Sequence, residues 1–128
     1  MGFLSRVKDW MNGNTEEPHS HWNYPGSIEE ISDIWQPDSG IHIIYKHSFT
    51  CGISSMAKSE LESNIEDLGA KAKLHFIDVH DRRPVSDYIA DKSGVAHHSP
   101  QVIVLRNGEV VWDASHGSIK AELLLKAI

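Results

Sequence analysis

The stretch that decides the fold is IHIIYKHSFTCGIS, residues 41–54. Its first six residues, 41–46, are mostly β-branched or aromatic, which predicts a buried strand. A helix is predicted over residues 51–68, because apolar side chains recur there at the three- and four-residue spacing of one helix face. Gly69 is expected to end it. Cys51 therefore lies where a buried strand gives way to the N-terminus of a helix.

The segments that follow complete an α/β pattern. The predicted elements are a strand at 74–79, a helix at 85–92, strands at 101–106 and 109–114, and a helix at 118–127. Strand, helix and strand over 41–79 predict parallel strands with a right-handed crossover, whereas Asn107-Gly108 predicts a tight hairpin. The result is a central four-stranded mixed sheet flanked by helices, in the order of a thioredoxin-like fold.

The N-terminal part is of a different kind. Residues 2–12 are predicted as an amphipathic helix, and the polar segment up to Gly26 is predicted as a linker. We therefore divide the chain into an N-terminal extension, 1–26, and a thioredoxin-like domain, 27–128. Ser27 and Glu30 have the spacing of a capping box, which predicts that the domain begins with a helix.

Composition limits the function classes. The 128 residues suit one domain, and 12 basic against 18 acidic residues give a formal charge of −6. This balance argues against a nucleic-acid partner, which needs a concentrated basic surface. No run approaches the roughly 20 apolar residues of a membrane span, and no signal-peptide core is visible. We expect a cytoplasmic protein without a membrane partner.

Cys51 is the only cysteine, so an internal disulfide is excluded. At a helix N-terminus its thiolate would be stabilised and its pKa lowered. Thr50 could cap this helix, and Lys46 and His47 could add positive potential. Ser54 occupies the place of the second cysteine of a dithiol motif. Its hydroxyl cannot attack a mixed disulfide, although it could hydrogen-bond the Cys51 sulfur.

Pro100 is the second predicted anchor of the site. It begins a strand at the place where the thioredoxin topology puts a cis-proline facing the active cysteine, so we expect a cis Ser99–Pro100 bond. Ser99 would then offer its backbone to an extended substrate. Together with His98, these residues are predicted to bind substrate.

Two further features could indicate ligand binding but also have simpler structural explanations. The nine histidines are scattered and show no paired helical spacing, so no metal site is predicted. The loop Asp81-Arg82-Arg83 is either a solvated turn or a site for an anionic thiol ligand.

Residues 46–54, KHSFTCGIS, and 94–101, GVAHHSPQ, resemble the two signature segments of the YtxJ-type monothiol bacilliredoxins. The resemblance extends over about residues 27–128. It implies a thioredoxin-like oxidoreductase that reduces mixed disulfides between proteins and bacillithiol through Cys51. A low-molecular-weight thiol would be the co-substrate, with no bound cofactor, and S-thiolated proteins and a thiol reductase system would be the partners.

One residue departs from that family's usual pattern. Members more often have proline after the cysteine, where this chain has Gly52. Cys-Gly-Ile-Ser is also similar to the Cys-Gly-Phe-Ser of monothiol glutaredoxins, which carry iron–sulfur clusters. The alternatives to thiol–disulfide exchange are thus a cluster held by Cys51 of two chains and a redox-inert adaptor.

Overall fold

The strand that precedes Cys51 is the central strand of the sheet. In a computed structural model that describes residues 21–128, it runs from Ile41 to His47 and is the third of five strands. The strands are β1 (Trp22–Asn23), β2 (Ile41–His47), β3 (Lys73–Asp78), β4 (Gln101–Arg106) and β5 (Glu109–Ser115). Their spatial order is β1-β3-β2-β4-β5. β1, β3 and β2 are parallel, while β4 is antiparallel to both β2 and β5. The thioredoxin-like prediction is confirmed, but the sheet has five strands and not the predicted four, because β1 adds to its edge beside β3.

Helices cover both faces of this sheet. They are α1 (Gly52–Glu62), α2 (Ile65–Lys71), α3 (Arg83–Ser93) and α4 (Ala121–Ala127), with 3-10 helices at Ser32–Trp35 and His116–Ser118. One core lies between the sheet and α1, α2 and α4, around Tyr45 and Leu61. The other lies under α3 and the first 3-10 helix, around Ile44 and Ile89. Alternate residues of β2 point to opposite cores, as a strand buried on both faces requires.

The single helix predicted over 51–68 is two helices. Ser63 and Asn64 separate α1 from α2, and their side chains hydrogen-bond the carbonyls of Ser59 and Glu60. Such local bonds compete with a continuous helix. Gly69 lies inside α2, which ends only after Lys71, so the predicted stop at Gly69 is wrong.

The helix predicted from Ser27 is also wrong. The Glu30 carboxylate accepts hydrogen bonds from Gly26 N and Ser27 Oγ, 2.8 and 3.3 Å away. The chain then makes i→i+3 turns and only the short 3-10 helix. The capping side chain thus closes a turn that does not propagate.

Trp22 comes from the predicted linker but forms part of the sheet. It is 1% exposed, and its indole Nε1 donates to Glu62 of α1 over 2.8 Å. The two-residue strand that contains it carries no periodic sequence signal. The helix predicted at 2–12 lies outside the described residues, and the division after residue 26 remains a prediction.

Across residues 21–128, no helix has the length and apolar character needed to cross a membrane.

Candidate active site

Cys51 lies at the C-terminal end of β2 and is the N-cap of α1. Its backbone is extended, with φ −116° and ψ 121°, and the helix begins at Gly52. The thiol is partly exposed. Thr50 is not the cap, because its hydroxyl instead lies 3.1 Å from Ser48 Oγ in the preceding turn. The cysteine itself thus occupies the position whose side chain faces the free N–H groups of the first helical turn.

The electrostatics of this position favour the thiolate. The backbone N–H of Ser54, and secondly that of Ile53, lower the pKa of the Cys51 thiol. Partial desolvation opposes this shift, and the Ser54 side chain adds a smaller lowering effect. The neutral thiol makes no capping hydrogen bond, so we assign these interactions to the thiolate. Lowering the pKa raises the fraction of cysteine present as the nucleophilic form.

Ser54 is completely buried and belongs to the support of this turn. Ser48 N donates to its Oγ over 3.3 Å, which joins the segment before Cys51 to the first turn of α1. Tyr45 Oη donates to Ser54 O over 2.9 Å. The helix start is therefore held from both the loop and the central strand.

His47 is buried rather than lying at the surface as a source of positive potential. Its Nδ1 is 2.7 Å from Tyr45 Oη. Because the tyrosine hydroxyl already donates to Ser54 O, the histidine nitrogen is the donor in this contact. The ring packs edge-on against Phe49, with centroids 4.4 Å apart. His47 thus supports the Cys51 turn through Tyr45.

The segment before β4 lies beside the same end of β2. Ser99–Pro100 is cis, as expected from the topology, and Pro100 is buried. Lys46 pairs with Gln101, so one further step of the antiparallel register places Pro100 opposite His47. The Ser99 hydroxyl is buried and finds no partner among residues 21–128.

His98 has a different setting from its two neighbours. It is exposed, and its ring lies 5.6 Å from that of His116. Substrate binding by His98, Ser99 and Pro100 stays a prediction.

Gly52 has open space around it. No atom lies within 4 Å of the position that a Cβ would occupy there. Packing therefore does not require glycine after the cysteine.

Three exposed apolar side chains lie close to Cys51 in the sequence. Phe49 is 46% exposed, Ile53 49% and Met56 73%. Scattered surface hydrophobics are normal, but these three lie within five residues of the thiol. They form an apolar rim, defined here as Phe49, Ile53 and Met56.

Sequence reasoning missed one neighbour of the site, His80. This residue follows β3, and its Nε2 lies 3.1 Å from Ser48 Oγ in the turn before Cys51. Val79 N donates to His47 O over 3.0 Å, so the two loops are also joined through their backbones. Nothing in the local pattern signals this contact, which depends on the register of β2 and β3.

The basic pair after His80 is partly engaged within its own loop. Arg83 pairs with Asp87 at 3.0 Å, and Arg82 donates to Asp81 O. Within the described range 21–128, no cluster of three or more histidine, cysteine or acidic side chains could hold a metal ion.

Comparisons with known proteins agree with this geometry. A solved structure described as a proposed oxidoreductase with a thioredoxin fold is 32% identical, with a TM-score of 0.72 over 83% of this chain and 92% of that one. Thioredoxin from Malassezia sympodialis is 16% identical, with a TM-score of 0.65 over 90% of this chain and 95% of that one. Mitochondrial thioredoxin 3 from Saccharomyces cerevisiae, in its oxidised form, is 18% identical, with a TM-score of 0.64 over 83% and 94%. At these identities the two thioredoxins show the fold alone.

The family comparison goes further. Residues 26–124 match the family model of the monothiol bacilliredoxin BrxC, and these residues include Cys51, Ser54 and the cis-proline. The single cysteine fits a monothiol protein, and the fold and the 32% identical structure fit a redox protein. The chain belongs to the monothiol bacilliredoxin family of thioredoxin-fold oxidoreductases.

Proposed function

We propose that this protein removes a low-molecular-weight thiol of the bacillithiol type from S-thiolated proteins by thiol–disulfide exchange at Cys51. The observation that carries the proposal is the N-cap position of this lone cysteine. The N–H groups of Ser54 and Ile53 lower its pKa, and a hydroxyl stands where a dithiol protein has its second sulfur.

In the proposed step, the Cys51 thiolate attacks the small-thiol sulfur of the client's mixed disulfide. The bond between the small thiol and the client breaks as the bond between Cys51 and the small thiol forms. The client sulfur leaves with the electron pair and takes a proton from solvent. One disulfide is exchanged for another, so this step has no net oxidation or reduction.

Ser54 cannot resolve the adduct on Cys51, and the chain has no other cysteine. A second small thiol must therefore attack the adduct and release the Cys51 thiolate. The products are the free protein and the oxidised small thiol, whose reduction needs a separate reductase. The proposed partners are accordingly client proteins, the small thiol and its reductase system.

The apolar rim supports a protein client rather than a small disulfide alone. Phe49, Ile53 and Met56 give the thiol an exposed hydrophobic border that a polar small molecule does not need. Burying such side chains against a partner is favourable by about 25 cal/mol per Å² of apolar surface. The Ser99 backbone beside the cis-proline is proposed to pair with the client's extended chain.

The test uses the full chain and a client protein carrying one bacillithiol. We expect release of the client thiol together with a single bacillithiol adduct on Cys51, both read by intact-mass spectrometry. Cys51→Ser should give neither product. A client that loses its thiol equally well with Cys51→Ser would contradict the proposal, and so would an adduct that wild-type protein discharges without added thiol. Visible absorbance of the freshly purified protein, lost in Cys51→Ser, would instead support the iron–sulfur alternative.

A further inference from the structure

Lys46 is a lysine that the proposed reaction does not use, and it is completely buried. It lies near the end of β2, on the face covered by α3. Burying an ammonium group costs several kcal/mol unless other groups compensate for its lost hydration. Within the described part of the chain, Lys46 forms no ion pair with a carboxylate. Its presence therefore calls for a role other than filling space.

Its hydrogen bonds connect two separate segments. Lys46 Nζ donates to Ser86 O in α3 over 3.0 Å and to Nδ1 of His97 over 3.3 Å. An ammonium group can only donate, so this histidine nitrogen is the acceptor. Ser86 Oγ lies 3.2 Å from the same nitrogen. Lys46 thus joins the central strand to α3 and to the segment that leads into the cis-proline.

That segment, residues 94–100, has a second attachment beside the first. Gln101, the cross-strand partner of Lys46, donates through Nε2 to Ala96 O over 2.8 Å. Two neighbouring side chains of the sheet therefore fix the path of the chain just before Ser99 and Pro100. These are the residues proposed to bind the client backbone.

The charged surroundings of the ammonium group are mixed. Burial lowers the pKa of Lys46 to about 8, while Asp87 opposes the shift and Arg83 adds to it. Burial first, and then Lys46 and Arg83, also lower the pKa of His97, with Asp87 opposing and His98 contributing slightly. A neutral His97 can accept from Lys46, as the observed contact requires.

We infer that Lys46 is a positioning residue, which holds segment 94–100 in the place from which the Ser99–Pro100 backbone binds the client. The inference rests on the proposed function for what is bound there. The buried ammonium group of Lys46 would then affect the affinity for the client and not the pKa of Cys51. Consistent with this division, Lys46 is not among the groups that shift the Cys51 pKa.

The first test replaces Lys46 by methionine, which keeps the length of the side chain and removes its donors. We expect faster amide hydrogen exchange in residues 94–100 and about a tenfold higher KM for the thiolated client, because two charge-assisted bonds are lost. The dependence of Cys51 alkylation on pH should not change. Lys92→Met, at an exposed lysine of α3, is the matched control and should resemble wild type in all three measurements.

The outcomes separate this inference from the proposed function. A wild-type protein that leaves the client thiolated refutes the function, whatever Lys46 does. An active Lys46→Met protein with wild-type KM and wild-type exchange in 94–100 refutes the positioning role alone. If the alkylation profile shifts while KM does not, Lys46 acts on the thiol and the inference is wrong.

A double-mutant cycle guards against misfolding of the lysine variant. His97→Ala removes the acceptor from the segment side and should also raise KM. If the two residues act through their mutual contact, the KM of the double variant should be little higher than that of the single variant with the larger KM. Additive effects on KM would contradict the inference. Should Lys46→Met fail to fold, His97→Ala alone carries the test, and a wild-type KM with wild-type hydrogen exchange in 94–100 in that variant would contradict the inference.

The pH dependence of KM supplies an independent readout. As pH rises through about 8, wild-type Lys46 loses its charge and its hydrogen bonds weaken. We therefore expect the wild-type KM to rise about fivefold between pH 7 and pH 9, since charge-assisted bonds are roughly twice as strong as neutral ones. Lys46→Met should not show this rise, and an identical rise in both proteins would overturn the assignment to Lys46.

Discussion

At the scale of the residue, the acidity of Cys51 is set by backbone N–H groups rather than by cations. The amide of Ser54 contributes most to the lower pKa, the amide of Ile53 comes next, and the Ser54 hydroxyl contributes least. Backbone groups are fixed by the helix itself, so they need no reorganisation when the thiolate forms. Side-chain substitutions around the cysteine should therefore change its acidity only modestly.

Ser54→Ala tests this ranking. The alkylation rate of wild-type Cys51 against pH should give a pKa below that of an ordinary thiol, about 8.5. The alanine variant should titrate slightly higher than wild type but still below the ordinary value, because both N–H groups remain. Its free energy of unfolding should fall by about 1–3 kcal/mol, since Ser48 N loses its buried acceptor. A variant that titrates like an ordinary thiol would show that the hydroxyl dominates.

Ser54→Cys tests the missing second sulfur. The new thiol would lie one helical turn from Cys51, so its attack on the adduct becomes intramolecular and the adduct's lifetime should shorten by at least tenfold. Ser59→Cys is the matched control, because this exposed position is about 12 Å from Cys51 along the axis of α1. Mass spectrometry follows the loss of the adduct without added thiol. Equal lifetimes in the two variants would mean that residue 54 does not reach the sulfur.

At the scale of the element, α1 begins in a way that accommodates proline after the cysteine. Cys51 has φ −116° and ψ 121°, which are values that a residue before proline favours. Proline is well tolerated at the first helical position, where its missing N–H has no partner in the helix. The N–H of Gly52 is also not one of the groups that lower the Cys51 pKa.

We therefore predict that Gly52→Pro stabilises the protein by about 0.5–1 kcal/mol, mainly by restricting the unfolded chain. The pH profile of Cys51 alkylation should be unchanged. Urea unfolding and alkylation kinetics measure the two effects, and Gly52→Ala provides the comparison without a locked φ. A loss of stability in the proline variant would show that the start of α1 is strained in a way its open surroundings do not reveal.

The same scale shows which elements sequence patterns could predict. The four longer strands were predictable because apolar and β-branched residues fill them, and β2 differs from its predicted range by one residue. The break between α1 and α2 after Glu62 was not predictable, because Leu61, Ile65 and Leu68 keep helical spacing across it. Trp22 was missed because two residues cannot display a period.

Some features of the candidate active site were likewise predictable from the sequence, and others were not. Cys51 and Pro100 were predictable because each is tied to the end of a strand in a recognisable topology. The sequence could not predict the burial of Lys46 or the contact of His80 with Ser48, because both depend on how separate strands are paired. A lysine at the end of a strand is ordinarily expected at the surface. The register between paired strands, and not the local sequence pattern, therefore determines where Lys46 and His80 lie.

For the whole molecule, the end of the sheet away from Cys51 contains a buried pair of histidines. His42 Nε2 lies 3.0 Å from Ser39 O, so this nitrogen carries a hydrogen. Burial lowers the pKa of His42 below its usual 6.5, so near pH 7 its other nitrogen, Nδ1, carries no hydrogen and accepts from His75 Nε2, which is 2.9 Å away. The pKa values of both rings are lowered, so the pair is neutral near pH 7; it lies beside an open cleft of about 700 Å³. Burial, and then His42 and Lys73, lower the pKa of His75 to about 4.

This shift makes stability depend on pH in a defined window. The unfolded chain protonates His75 near pH 6.5, whereas the folded protein does so only near pH 4. The unfolded state thus binds more protons between these values, and the free energy of unfolding falls as pH drops from about 6.5 to 4. The contribution of His75 amounts to about 3 kcal/mol, because its pKa is about 4 in the folded protein and about 6.5 in the unfolded chain. Above pH 6.5 its contribution is constant.

His75→Phe should flatten this dependence by about one proton per molecule, because the phenylalanine at position 75 cannot ionise. Urea unfolding at pH 7.5, 6.5, 5.5 and 4.5 gives the slope for each protein. Ile77→Val is the matched control, since Ile77 is buried two residues further along the same face of β3. It should lose about 1 kcal/mol at every pH and keep the wild-type slope. If His75→Phe keeps that slope as well, the proton taken up on unfolding belongs to another group, and the neutral histidine pair does not govern acid stability.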